Sequence, residues 1–170
     1  CGIVSLPQPV IAAVEGPAVG FGADLALAWD LRWFSDSAYV EESFVKIGLM
    51  PDGGGTFWLP RIIGSGRAFE CLTLGSRLDA AECARLGIAN HVVPSDGLLD
   101  TVRATAERLA VAAPLAIARI KESVRASSTT ELEAALAREK EGQLALLRSA
   151  DFTEGVAAFL EKRPARFQGR

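Results

Sequence analysis

The sequence predicts an α/β fold, a strand-and-helix core followed by an all-helical region, on three observations. Short apolar runs of strand length alternate with glycine-rich turns through the first half of the chain. Helix-capping signals take over from Asp79 onward. Beyond Pro94, apolar residues recur at helical spacing almost to the end. The organisation expected is a core over residues 1–95 and a helical region over residues 96–170.

The run Val10-Ile11-Ala12-Ala13-Val14 suits a strand buried on both faces. The glycine-rich stretch from Gly16 to Gly22 reads as a turn, opening into a buried helix over Ala23 to Trp29. Leu31 to Phe34 and Ala38 to Val40 read as short strands separated by Ser35-Asp36-Ser37. A loop then leads to Gly53-Gly54-Gly55, the densest glycine cluster, with a helix starting near Thr56. Asp79 with Glu82 resembles a capping box, Gly87 stands where that helix would stop, and Ile88 to Val93 predicts a strand ended by Pro94. Four helices follow. Leu98 to Leu109 marks the first, and Pro114 opens the second. Thr130 with Glu133 caps the third, and the stripe Phe152, Val156, Phe159, Leu160 marks the fourth, blocked by Pro164.

Composition narrows the function classes. With 49% hydrophobic and 23% charged residues in 170, the chain can bury one real core. A formal net charge of -3 supplies no basic field for nucleic acid or an anionic membrane surface. No apolar run reaches the ~18–20 residues a membrane span requires. Cys1, Cys71 and Cys83 form no CxxC pair and argue for a reducing, cytoplasmic compartment, and no four-ligand metal site is expected. Met50 is the only methionine and an apolar strand begins almost at once, so the chain reads as a fragment entered in mid-domain.

Two places can carry chemistry. In Gly20-Phe21-Gly22-Ala23-Asp24, a turn into a helix leaves unpaired amides at the helix N-terminus, which favour developing negative charge; a packing turn is the competing reading. In Met50-Pro51-Asp52-Gly53-Gly54-Gly55, an aspartate stands among residues with little bulk. Projecting into an apolar cleft it is suited to general-base work, while an Asx turn or N-cap is the simpler role. His91 is read as structural, Trp29, Trp33 and Trp58 as core, and Glu41-Glu42 as a solvated loop close to the second place.

The stretch from Pro9 to Gly22 followed by Asp24-Leu25-Ala26-Leu27-Ala28-Trp29-Asp30 resembles the signature of the crotonase (enoyl-CoA hydratase/isomerase) superfamily. So does Lys46-Ile47-Gly48-Leu49-Met50-Pro51-Asp52-Gly53-Gly54-Gly55-Thr56, with Leu59-Pro60-Arg61 after it, and so does the ending Glu154 to Arg163. The resemblance implies a spiral of ββα turns, here partial, followed by a helical trimerisation region, in a homotrimer or a dimer of trimers. It implies an acyl-CoA thioester as substrate, with no cofactor besides. It also implies two amides that hold the thioester oxygen as an enolate develops. One falls on Phe21, between Gly20 and Gly22; the other belongs to a segment upstream.

Departures from the family pattern point to a reaction. Of the two glutamates with which family hydratases add water, the first falls on Asp24 and the second on Phe44, which cannot transfer a proton. A carboxylate stands instead at Asp52, as in the branch containing ring-1,2-epoxyphenylacetyl-CoA isomerase and related enoyl-CoA isomerases. Isomerisation by Asp52 is therefore the expectation. A hydratase or lyase, a nucleophilic Asp52 as in aroyl-CoA dehalogenases, and a non-catalytic assembly piece are the alternatives. The resemblance also assigns Phe159 and Lys162, three apart and so on one helix face, to the nucleotide end of CoA bound by a neighbouring subunit.

Overall fold

The computed structural model describes residues 2–170 and divides them into two compact units. The first comprises Val10–Thr105 with the N-terminal stretch ending at Val4; the second comprises Ser5–Pro9 and Ala106–Arg170.

The first unit is built by sending successive strands to different sheets. β1 (Ile11–Val14) enters one sheet, and after Glu15-Gly16 the chain supplies β2 (Pro17–Val19) to another before turning into α1 (Phe21–Leu27). β3 (Leu31–Ser35) and β4 (Tyr39–Glu41) repeat the move. A 3-10 turn (Ser43–Ile47), α2 (Gly55–Ile63) and α3 (Ser65–Leu74) follow, then β5 (Arg77–Asp79), α4 (Ala80–Arg85) and β6 (His91–Val93). The sheets have the orders β1-β3-β6, all parallel, and β2-β4-β5, in which β2 pairs parallel and β5 antiparallel with β4. Each ββα repeat thus lays one strand on each sheet and a helix beside them, which is a spiral, the α/β crotonase fold.

Phe34, Val40, Leu59 and Ile88 are fully enclosed in its core, with Ala23 and Ala68 letting helices approach closely. Burial of each large side chain contributes roughly 1.5–3 kcal/mol. Cys71 and Cys83 are buried free thiols in the same cluster, and burial pushes the Cys83 thiol up to about 12, so it stays protonated. Cys1 lies outside the described residues.

Several expected elements differ in extent. The stretch read wholly as a turn contains β2, and α1 begins at Phe21, two residues early. Ile88 to Val93 narrows to β6, although the Asn90 amide before it still donates to the Arg32 carbonyl of β3 at 2.8 Å. The Asp79 carboxylate does cap α4, accepting from the Glu82 amide at 2.8 Å, but the Glu82 side chain turns to Arg85 instead of closing the box. α3 and β5 were not anticipated.

The second unit carries the end of α5 (Leu98–Ala110), then α6 (Pro114–Ser127), α7 (Leu132–Leu146) and α8 (Ala150–Glu161). Thr130 does not cap α7: its hydroxyl donates back to the Ala126 carbonyl at 2.7 Å, and Glu131 takes the N-cap position without a side-chain bond. Ser149 caps α8, accepting from the Phe152 amide at 3.0 Å. The residues after α8 fold back along it. The Arg166 amide donates to Glu154, those of Gln168 and Gly169 donate to the buried Asp151, and the Arg170 carbonyl receives the first amides of the helix. No described helix is long and apolar enough to cross a membrane.

Candidate active site

The register of the second sheet brings two buried carboxyls together. β2 and β4 are parallel neighbours with Val19 opposite Glu41, and the Gly20 amide, one residue past β2, donates to the Glu41 carbonyl at 2.9 Å. From that junction one strand runs on into α1, which carries Asp24 in its first turn. The other runs on into the 3-10 turn, whose N-cap is Glu42. Asp24 is 0% and Glu42 2% exposed.

Both carboxyls meet the start of α2. A Cβ on Gly55 would stand 2.2 Å from Asp24 Oδ1 and 3.0 Å from Glu42 Oε1, so no side chain fits there. A Cβ on Gly53 would stand 2.7 Å from the Asp24 Cβ and 2.9 Å from the Phe21 ring. The glycine cluster is required by these close approaches. In return the Gly53 amide donates to Asp24 Oδ2 at 2.7 Å, which fastens the loop bearing Asp52 to the first turn of α1. Asp24 Oδ1 and both Glu42 carboxyl oxygens have no further hydrogen-bond partner.

The electrostatics follow from the enclosure. Burial, then the adjoining Asp24 charge, pushes the Glu42 carboxyl up to about 8, so near neutrality it holds a proton. Burial also raises Asp24, opposed first by the Gly53 amide, which stabilises its ionised form. Two carboxyls this close titrate as one system, and the member receiving the amide is the one to carry the charge.

The remaining expected site residues fall around this pair. Phe21 heads α1 with its ring 58% exposed, and its amide is among the first-turn donors that have no acceptor within a helix. Phe44 is half-buried, its ring against Gly20. Asp52 is exposed. The apolar enclosure on which its general-base role was argued surrounds Asp24 and Glu42 instead, because those two lie on inward faces whereas Asp52 stands at the tip of the loop. Ile47, Leu49 and Met50, all more than half exposed, precede it in the chain.

Glu42 corrects the expectation of a solvated Glu41-Glu42 loop. Only Glu41 faces outward, pairing with Lys46 at 2.8 Å. The period-two face of Ala38 and Val40, both buried, continues to position 42, and that alternation is the signal that identifies Glu42 from sequence. His91 is exposed with its ring against Trp33, centroids 4.6 Å apart, in keeping with a structural role. Among the described residues no group of three His, Cys, Asp or Glu is placed to hold a metal ion.

In the second unit, Phe159 is 82% exposed on α8. Lys162 does not share a helix face with it as expected. The helix ends at Glu161, Lys162 takes the left-handed conformation at φ 53°, and the Arg163 amide closes the end on the Ala158 carbonyl at 3.0 Å.

The model of the enoyl-CoA hydratase/isomerase family matches residues 2–170. This chain belongs to that family. A probable enoyl-CoA hydratase of Rhodobacter capsulatus is 46% identical over 99% of this chain and 65% of its own length. A 1,2-epoxyphenylacetyl-CoA isomerase of Escherichia coli is 40% identical over 99% of this chain and 64% of its own. Among solved structures, an enoyl-CoA hydratase from Bacillus anthracis superposes with a TM-score of 0.95 at 36% identity, over 99% of this chain and 66% of that one. The chain therefore spans about 65% of the length of the first curated relative. These matches run along 99% of this chain. Its relatives' names span hydration and isomerisation.

Proposed function

We propose that this chain serves isomerase-type proton transfer on enoyl-CoA thioesters, with Asp52 as general base and then general acid. Asp52 takes a proton from the carbon between the thioester and the double bond. The electrons move into the thioester, whose oxygen becomes an enolate held by the Phe21 amide, and Asp52 returns the proton at the far carbon. No proton is gained or lost overall. Asp24, a secondary polar group, fixes the loop, and Gly20, Gly22 and Phe44 border the thioester.

The observation that carries this reading is the bond from the Gly53 amide to Asp24, which fastens the residue after Asp52 to the helix that begins with Phe21. Asp52 is also the exposed carboxylate of the three, free to meet a substrate, whereas Asp24 and Glu42 are enclosed. Positioned acid-base groups contribute about 10²–10⁴-fold in rate. Asp52→Asn is expected to lower conversion of a 3-enoyl-CoA to the 2-enoyl-CoA by that range while acyl-CoA still binds. Undiminished conversion removes Asp52 from the mechanism.

The Asp24–Glu42 pair favours one second reading, hydration, since it supplies two carboxyls where a hydratase needs two. Formation of 3-hydroxyacyl-CoA from a 2-enoyl-CoA, lost in Glu42→Gln and retained in Asp52→Asn, selects it. A homotrimer or a dimer of trimers, in which Phe159 and Lys162 meet the nucleotide of a neighbour's CoA, and a cytoplasmic location belong to the same proposal.

A further inference from the structure

A buried carboxyl that pairs with no cation and receives no amide needs a reason. Glu42 is 2% exposed, both its oxygens lack a partner, and the isomerase-type mechanism does not use it. Beside it Asp24, 0% exposed, spends Oδ2 on the Gly53 amide and leaves Oδ1 unpartnered toward Glu42, the two converging on the Cα of Gly55. An ionised carboxyl enclosed without a hydrogen bond is strongly destabilising, and two side by side are more so. A single proton between them removes both penalties: the protonated carboxyl becomes a donor and the ionised one an acceptor.

We propose that Glu42 is a positioning residue of this site, holding with Asp24 one shared proton that keeps Asp24 as the acceptor for Gly53 and so keeps the Asp52 loop in place. The inference rests on the isomerase-type reading for its consequence, and on the geometry of the pair for its existence. The proton resides mainly on Glu42, because the Gly53 amide favours the charge on Asp24. Removing that proton sets two negative charges against each other beside Gly55, and relief comes by moving Asp24 off Gly53.

The groups facing the pair agree with this. From α1 there is Asp24 itself, and from the loop before α2 there is Asp52, whose charge adds to the raising of Asp24. From α3 there is the Cys71 thiol, raised first by burial and further by Glu42 among other carboxylates, so it brings no charge. Lys46, on the 3-10 turn, is engaged with Glu41. The described groups therefore bring no cation to the pair that would let both carboxyls ionise together.

The test is a titration of the protein with ¹³C-labelled side-chain carboxyls, followed by NMR, together with the Gly53 amide resonance. One glutamate carboxyl should titrate near 8, the Gly53 amide should shift on the same curve, and Glu42→Gln should abolish both changes. Asp24→Asn, a second variant that keeps the shape, should return the Glu42 titration toward its ordinary range. A Glu42 carboxyl that titrates with the other glutamates, or a Gly53 amide indifferent to it, overturns the proposal. The readout needs no turnover. Should the pair titrate as stated while Asp52→Asn remains fully active, the isomerase-type reading fails and the pair stands. Should Asp52→Asn be inactive while Glu42 titrates ordinarily, the pair fails and that reading stands.

Discussion

Gly55 faces two carboxyls from a distance that leaves no room for a methyl group, and that contact yields the first residue-scale prediction. Gly55→Ala forces Asp24 or Glu42 aside and should cost about 1–3 kcal/mol, the usual range for overpacking, read from the urea midpoint. An unchanged midpoint would mean that the pair lies elsewhere. The second concerns pH. A carboxyl raised to about 8 in the folded protein and near 4.5 when unfolded binds more protons folded than unfolded in that window. Its contribution to stability is complete below 4.5 and is lost as pH rises through 8. The melting temperature should fall between pH 5 and pH 9, with a shallower slope in Glu42→Gln. At this scale the sequence shows Asp24, Phe21 and Asp52 through their glycine-rich settings. Glu42 hides in a charged dipeptide, and only the period-two face of Ala38 and Val40 signals that it turns inward.

Elements divide by length in how readily they are anticipated. β1, β3, α5 and α6 carry enough apolar residues for their period to show, and each lies close to its expected place. β2 and β5 have three residues each, too few for a period, and exist because β4 lies between them to accept their hydrogen bonds. The α7 cap failed because Thr130 has a nearer partner in the Ala126 carbonyl, a competition that spacing alone does not reveal. At the start of α8 the cap is real, and Ser149→Ala should cost about 1 kcal/mol in thermal unfolding. Within α8, Glu154 accepts from Nη1 and Nη2 of Arg163 and from the Arg166 amide, which hold its carboxyl at about 2. A depressed carboxyl contributes stability above its unfolded value and loses it as pH falls through the folded one. Protection of the Arg166 amide from hydrogen exchange should therefore persist at pH 5 and fade toward pH 2, with Glu154→Gln already unprotected at pH 5.

On the scale of the whole molecule, the second unit presents a row of large apolar side chains to solvent. Phe152, Val156, Phe159 and Leu160 of α8 are each at least 43% exposed, and with Leu147 and Phe167 they line a cavity of about 430 Å³. That surface supports the proposed assembly. Lys162→Ala should weaken binding of a CoA ester more than binding of the same acyl group on pantetheine; equal loss for both refutes the contact. The central claim is that Asp52 moves a proton at the carbon beside the thioester, and deuterium reports it directly. The exposed Asp52 carboxyl exchanges with solvent between taking and returning a proton, so a 3-enoyl-CoA incubated with the protein in D₂O should take up deuterium at the far carbon and, through reversal, at the carbon beside the thioester, seen by NMR, as the 2-enoyl product forms. Asp52→Asn should lose both signals together, and deuterium uptake at the wild-type rate in that variant would contradict the account.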